Sequence, residues 1–227
     1  MTAGMDMAEI AALVGDPGRA NMLAAMLDGR ANTATELARL AGIAAPTASG
    51  HLGKLQHGGL ITVVSQGRHR YFRLASVEVA RMLEGIMVVA VGKIDAHARA
   101  TPRVEPELRR ARTCYDHIAG ELGVAIADTL VKRGAVELSD DGAAITASGR
   151  AFLSAKGFEI ESPQGSRRPL CRPCLDWSER RPHLAGTLGA AFLEAGLNKG
   201  LFHRRQGSRA LKLRGEIGDV LSGMGLN

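Results

Sequence analysis

Two groups of residues along this chain carry side chains that can bind a metal ion or undergo thiol chemistry. Cys171 and Cys174 form a Cys-x-x-Cys pair, with Asp176 and His183 close behind, and Cys114, Asp116 and His117 form a similar group earlier. Thiolate and imidazole are preferred ligands for zinc and softer metals. Cys114 and His117 are three apart, a spacing that places two side chains on one face of a helix. A single Cys-x-x-Cys is half of the usual structural zinc pattern, and the same thiols suit a redox switch. The third reading is structural: Cys114 and Cys174 as small buried residues at equivalent positions, with His117 and His183 at helix starts. Tyr115 and Trp177 then serve as core anchors or line a small pocket.

A second constellation is polar and basic. Thr47, Ser49, Gly50, His51 and Lys54 fall in the first turns of an expected helix, and Gln66, Arg68, His69, Arg70 and Arg73 gather around an expected hairpin tip. A helix fits the major groove of double-stranded DNA, with its N-terminal polar side chains at base edges. Thr47 and Ser49 suit base edges or phosphates, Gly50 permits close approach, and Lys54 suits phosphate. A basic hairpin tip suits the minor groove or the backbone.

The elements that must position these residues are legible in part. Residues 5–27 read as helix, broken at Asp16-Pro17, an N-cap followed by a first helical residue, and stopped at Asp28-Gly29. A short helix is expected over 35–40, a glycine turn at Gly42, and a helix from Pro46 to about Gln56. Strands are expected over 60–64 and 69–74 around a turn at 65–68. Ser76 then caps a helix over 77–97 with an apolar face of Val79, Met82, Leu83, Ile86 and Val89.

Residues 100–106, with two prolines, read as a linker. Beyond it, His117-Ile-Ala-Gly-Glu-Leu-Gly-Val-Ala125 recurs as His183-Leu-Ala-Gly-Thr-Leu-Gly-Ala-Ala191, with Cys-x-Asp before each copy and about six extra residues in the second. Each copy is expected to continue as a helix and then a hairpin, over 134–138 and 144–146 in the first and over 201–205 and 210–213 in the second. Residues 162–169 are the expected join. The fold class is therefore mainly α with small β-hairpins. A winged helix-turn-helix over 1–99 would precede a sensor or effector domain over 107–227, itself two winged-helix-like repeats at about 107–160 and 170–227.

Bulk properties narrow the function. Of 227 residues, 45% are hydrophobic but only 4% aromatic, which favours helical cores of aliphatic residues. A net charge of +6 suits a polyanionic partner such as nucleic acid. Three cysteines do not make a disulfide framework and fit a reducing cytoplasm. No signal segment is expected, and the longest apolar run, residues 86–91, is far too short to span a bilayer. No Gly-rich nucleotide loop, Gly-x-Ser-x-Gly elbow or His-Glu-x-x-His is present, so no enzyme is expected. A thiol oxidoreductase at Cys171 and Cys174 would lack its βαβ context.

Taken together, Glu36-Leu37-Ala38, Ala41-Gly42-Ile43, Thr47-Ala48-Ser49, His51-Leu52, Leu55, Gly58-Gly59-Leu60, Gly67-Arg68 and Tyr71-Phe72-Arg73-Leu74 resemble the ArsR/SmtB family of bacterial repressors. The resemblance covers about residues 5–98. It implies operator DNA as partner and a homodimer in which helices at about 6–14 and 77–97 pack across the two-fold. Family members often sense metals. The family's cysteine site has no counterpart in Glu36-Leu-Ala-Arg-Leu-Ala41, and Asp95-Ala-His97 matches only half of its last-helix site. The stretch after Cys174 resembles the C-terminal part of longer ArsR-like regulators, which implies a two-part architecture and no particular inducer. A nucleoid-like DNA binder with little sequence preference and a winged helix used for protein contact are the competing readings.

Overall fold

The protein is described here by a computed structural model covering residues 3–67, 69–97, 105–139, 142–158, 160–161 and 168–227. Its chain forms two compact units, one running through Ile86 and the other made of Met87–Arg205 and Arg209–Asn227.

The first unit begins with α1 (Ala3–Val14) and α2 (Pro17–Met26). Asp16 caps α2 by accepting a 2.9 Å hydrogen bond from the Arg19 N–H, and Pro17 fills the first helical position. Strand β1 (Asn32–Thr33) leads into α3 (Ala34–Ala41), whose start is closed by a reciprocal box. The Thr33 side chain accepts from the Glu36 N–H, and Glu36 accepts from the Thr33 N–H at 2.7 Å. Gly42 ends α3 at φ +67°, the left-handed conformation that disfavours any side chain. The chain then turns into α4 (Ala45–His57), with Pro46 in its first turn.

Strands β2 (Ile61–Gln66) and β3 (His69–Leu74) pair antiparallel from Ile61 with Leu74 to Gln66 with His69. The sheet order is β1-β3-β2. Leu37, Ala38, Ala48, Leu52, Leu55, Phe72 and Leu74 are buried, so α3, α4 and the hairpin share a core. Val79 N–H donates to Ser76 Oγ at 3.4 Å as α5 (Val77–His97) begins. Leu83 of α5 is buried, but Ile86 and Val89 of its expected inward face are exposed, at 45% and 61%.

The second unit repeats one succession of elements. Helix α6 (Pro106–Arg110) precedes β4 (Arg112–Cys114), β5 (His117–Ala119), α7 (Glu121–Lys132), β6 (Val136–Leu138), β7 (Ala143–Ile145) and α8 (Ala147–Ala155). There follow β8 (Arg172–Leu175), β9 (Pro182–Ala185), α9 (Gly186–Asn198), β10 (Phe202–Arg204), β11 (Leu211–Leu213) and α10 (Ile217–Gly223). Each set runs hairpin, helix, hairpin, helix. One core, including Ile118, Leu122, Leu130, Leu184, Leu188 and Phe192, joins both sets.

The structure corrects the expected helix around Cys114 and His117. Both lie in strands, paired directly across the β4–β5 hairpin, and Cys174 and His183 pair likewise across β8–β9. His117 and His183 are thus strand residues and not helix starts. The second hairpin carries its six extra residues as a longer loop between Cys174 and His183. The expected join at 162–169 falls mostly outside the described residues, as does most of the linker at 100–106.

Replacing Thr33 with alanine removes the acceptor of the α3 cap. We expect a loss of about 1 kcal/mol in stability, read by urea unfolding, with the folded-state helix signal unchanged.

Candidate functional site

The first candidate surface is built by α4 and the β2–β3 hairpin. Ala48, Leu52 and Leu55 anchor α4 in the core, which turns Thr47, Ser49, Gly50 and Lys54 outward to solvent. A side-chain carbon placed on Gly50 would meet nothing within 4 Å, so this part of the helix presents an open face. At the hairpin, Gln66, His69, Arg70 and Arg73 are exposed, and Gly67 takes φ +57° at the tight turn. The Arg70 guanidinium lies 5.3 Å from the centre of the Phe72 ring, which supports the stem of that side chain. Arg68 lies outside the described residues.

His51 behaves differently from its neighbours. It is half-buried and faces α2, with Nε2 3.5 Å from Asp16 Oδ1 and Nδ1 3.4 Å from Arg19 Nη1. Arg19 in turn donates to the carbonyls of Leu13 and Ala12 at the end of α1. His51 therefore ties α4 to the α1–α2 corner. Arg19 and Asp16 belong to the apparatus that positions α4, yet their contacts with residue 51 leave no trace in local spacing.

The second candidate surface is interior. Cys114, His117, Cys174 and His183 each bring one ligand atom to a common point, all within 4.8 Å of one another. The two sulfurs are 3.8 Å apart, and Nε2 of His117 is 3.1 Å from Nε2 of His183. Cys114, His117 and His183 are at most 3% exposed. Two glycines let the hairpins lie close on the helices. A side-chain carbon on Gly123 of α7 would stand 2.5 Å from the Ile118 carbonyl oxygen, and one on Gly189 of α9 would collide with the Leu184 carbonyl oxygen and stand 3.0 Å from Cβ of His117. Both occupy the same place in the recurring His-x-x-Gly-x-x-Gly pattern, which is the sequence signal for them.

The carboxylates lie one layer out. Oδ1 of Asp116 is 3.2 Å from Nδ1 of His117, and its Oδ2 accepts a 2.7 Å hydrogen bond from Arg168. Oδ2 of Asp176 is 3.4 Å from Nδ1 of His183, and the same oxygen accepts from the Gly120 N–H at 2.6 Å. Its Oδ1 accepts from Arg112 at 2.8 Å, and both side chains of that pair are fully buried. Arg112 also lies 4.3 Å from the centre of the Trp177 ring. Arg112 and Arg168 went unnoticed in the sequence, because each acts across some fifty or more positions of chain.

Electrostatics follows this geometry. Burial opposes charge on Asp176, yet Arg112, His183 and the Gly120 N–H hold its carboxyl well below the usual carboxylate range. Hydrogen bonding from Cys114, against the cost of burial and with help from His117 and His183, holds the Cys174 thiol well below its ordinary range. Burial works against charging His117, but Asp116 and Cys174 outweigh it and favour the protonated ring. Cys171 stands apart. It packs into the hydrophobic core, and burial pushes its thiol up to about 11. The Cys-x-x-Cys pair is therefore divided between core and cluster. The side chains of Asp95 and His97 lie outside the described residues.

Residues 14–64 match the family model described as "Helix-turn-helix domain". Over 208 residues the chain is 40% identical to the uncharacterized HTH-type transcriptional regulator YdfF of Bacillus subtilis strain 168, covering 92% of each chain. Among solved structures, it is similar to the homodimeric winged helix-turn-helix DNA-binding domain of Mb0332 from Mycobacterium bovis. That match has 26% identity, covers 42% of this chain and 88% of that one, and has a TM-score of 0.38. The cadmium metal-sensor CMTR of Mycobacterium tuberculosis is 28% identical, over 44% of this chain and 94% of that one, with a TM-score of 0.30.

The chain belongs to the HTH-type transcriptional regulators, and its first unit folds as a winged helix-turn-helix. It is a DNA-binding regulator and not an enzyme. Among the described residues, no helix is long and apolar enough to cross a membrane.

Truncating Asp176 to alanine would leave the buried Arg112 charge uncompensated, at an expected cost of about 3–5 kcal/mol by urea unfolding. Asp176 also sets an acid limit. Its ordinary value is 3.8 and the folded chain holds it lower. The pair's stabilisation is thus full above that value and is lost as pH falls through the folded one. The wild type should lose stability more steeply in acid than Asp176→Asn.

Proposed function

We propose that this protein is a sequence-specific repressor that binds operator DNA as a homodimer in the cytoplasm and is released by a signal received in the C-terminal half, about residues 107–227. The observation that carries this reading is the exposed, polar start of α4 beside an exposed basic hairpin. Thr47, Ser49 and Gly50 would meet base edges in the major groove, with Lys54 on phosphate. Gln66, Arg68, Arg70 and Arg73 would follow the backbone or enter the adjacent minor groove. His51 would act through its hold on Asp16 and Arg19, fixing the angle of α4.

Dimerisation is supported by apolar side chains left in solvent on the two helices that the family resemblance assigns to the two-fold. These are Met7 of α1, 72% exposed, and Ile86 and Val89 of α5. A dimer must present two copies of α4 to successive major grooves about 34 Å apart. A ligand event that favours another dimer geometry would mis-space them and release the DNA.

The test is a fluorescence-anisotropy titration against DNA upstream of the protein's own gene, with random DNA as competitor. Retained binding supports the repressor reading. Equal affinity for both DNAs would replace it with a nucleoid-like binder, and no binding would leave a protein-contact module. Lys54→Ala and Arg70→Ala should each weaken binding to all sequences and lower the slope of log affinity on log salt by about 0.9. Ile86→Glu with Val89→Glu should shift sedimentation from dimer to monomer and reduce DNA affinity with it.

A further inference from the structure

The Cys–His cluster has the composition, spacing and surroundings of a metal centre. We propose that Cys114, His117, Cys174 and His183 hold a zinc ion in a closed tetrahedral site that staples the β4–β5 hairpin to the β8–β9 hairpin. The centre stands on its own geometry and does not depend on the DNA-binding reading.

Distances support it. A tetrahedral ion with sulfur ligands at about 2.3 Å sets those sulfurs about 3.8 Å apart, and nitrogen ligands at about 2.05 Å set theirs about 3.3 Å apart. The sulfurs here are 3.8 Å apart and the facing nitrogens 3.1 Å apart.

The imidazoles make the same case by charge. Each ring turns Nδ1 toward a carboxylate, Asp116 for His117 and Asp176 for His183. Nδ1 of His117 is within hydrogen-bond distance of Asp116, whereas Nδ1 of His183 is buried without a hydrogen-bond partner. The two Nε2 atoms face each other across 3.1 Å, an approach that a proton or a cation between them would hold. Carboxylate behind imidazole in front of metal is the common outer-layer arrangement of zinc sites, fixing tautomer and ring orientation. Here Asp116 takes that place behind His117, Asp176 stands 3.4 Å from Nδ1 of His183, and each carboxylate is itself held by an arginine.

The donor set selects the ion. Calcium and magnesium need oxygen ligands, whereas two sulfurs and two nitrogens in a tetrahedron suit zinc. Four protein ligands leave no position for substrate, so the site is of the structural type, in which binding energy is folding energy. Each cysteine binds as thiolate, its proton passing to solvent.

The experiment uses the full-length protein, purified reduced and exposed to zinc chloride, with metal content read by elemental analysis. Cobalt(II) substitution supplies a spectroscopic readout on the unmutated chain. We expect one ion per chain, with the intense visible absorption of tetrahedral cobalt and a thiolate charge-transfer band. Cys114→Ser or Cys174→Ser should abolish stoichiometric binding, whereas Cys171→Ala should keep it. Asp116→Ala should keep the tetrahedral spectrum and lower zinc affinity about 10–100-fold. The proposal is overturned if the reduced wild type takes up no stoichiometric metal, if cobalt gives an octahedral spectrum, or if Cys171→Ala abolishes binding as Cys174→Ser does. A Cys114–Cys174 disulfide, seen by mass spectrometry in metal-free protein that zinc cannot reload after reduction, would assign the pair to thiol chemistry instead. Anisotropy on the same samples reports DNA binding separately, so the two readings fail independently.

Discussion

The C-terminal unit depends on a buried ion pair. Arg112 and Asp176 are both fully inaccessible to solvent, and neither charge could sit there alone. Asp176 answers Arg112 with one oxygen and the Gly120 N–H with the other, so the loop after β8 is fastened to both strands of the first hairpin at its open end. That fastening sets Cys174 and His183 against Cys114 and His117. The indole of Trp177 covers the guanidinium and further excludes water. Such a pair contributes little net stability over an apolar substitute, but it permits few alternative arrangements. It decides where the second hairpin sits more than how strongly it is held.

The N-terminal unit is organised by local chemistry, and most of it could be read from the chain. Asp16 and Pro17 announce the start of α2, Gly42 the end of α3, and Gly67 the hairpin turn. Each signal acts within a few residues of itself, so its structural effect is visible in the spacing. His51 could not be read this way. Its position on α4 suggested an outward side chain, but the α1–α2 corner supplies Asp16 and Arg19 as partners, and a residue near the helix edge turns toward them.

Whereas β6–β7 and β10–β11 lie where the sequence places them, the hairpins β4–β5 and β8–β9 were hidden for a related reason. Their strands are three or four residues long, too short for alternation to show, and packing against α7 and α9 stabilises them more than intrinsic propensity. The first turn places Tyr115 at φ +59° without a glycine to mark it. Cys171 and Cys174 looked like partners because they are close in sequence. Cys171, however, sits in the bend just before β8, whereas Cys174 lies within that strand. One thiol therefore enters the core and the other the cluster. The recurring His-x-x-Gly-x-x-Gly was the better guide, since it marks both the histidines and the glycines that make room for them.

Each half of the C-terminal unit supplies one cysteine, one histidine and one carboxylate, and neither half holds four donors. A polypeptide carrying a single half would regain the full set only by pairing with a second copy of itself, its two hairpins face to face. The unit thus has the internal logic of a two-fold dimer joined end to end in one chain. Carried in one chain, the two hairpins meet without the concentration dependence that such a dimer would have. The longer second loop, with Trp177 and the buried partner of Arg112, is one place where the two hairpins differ.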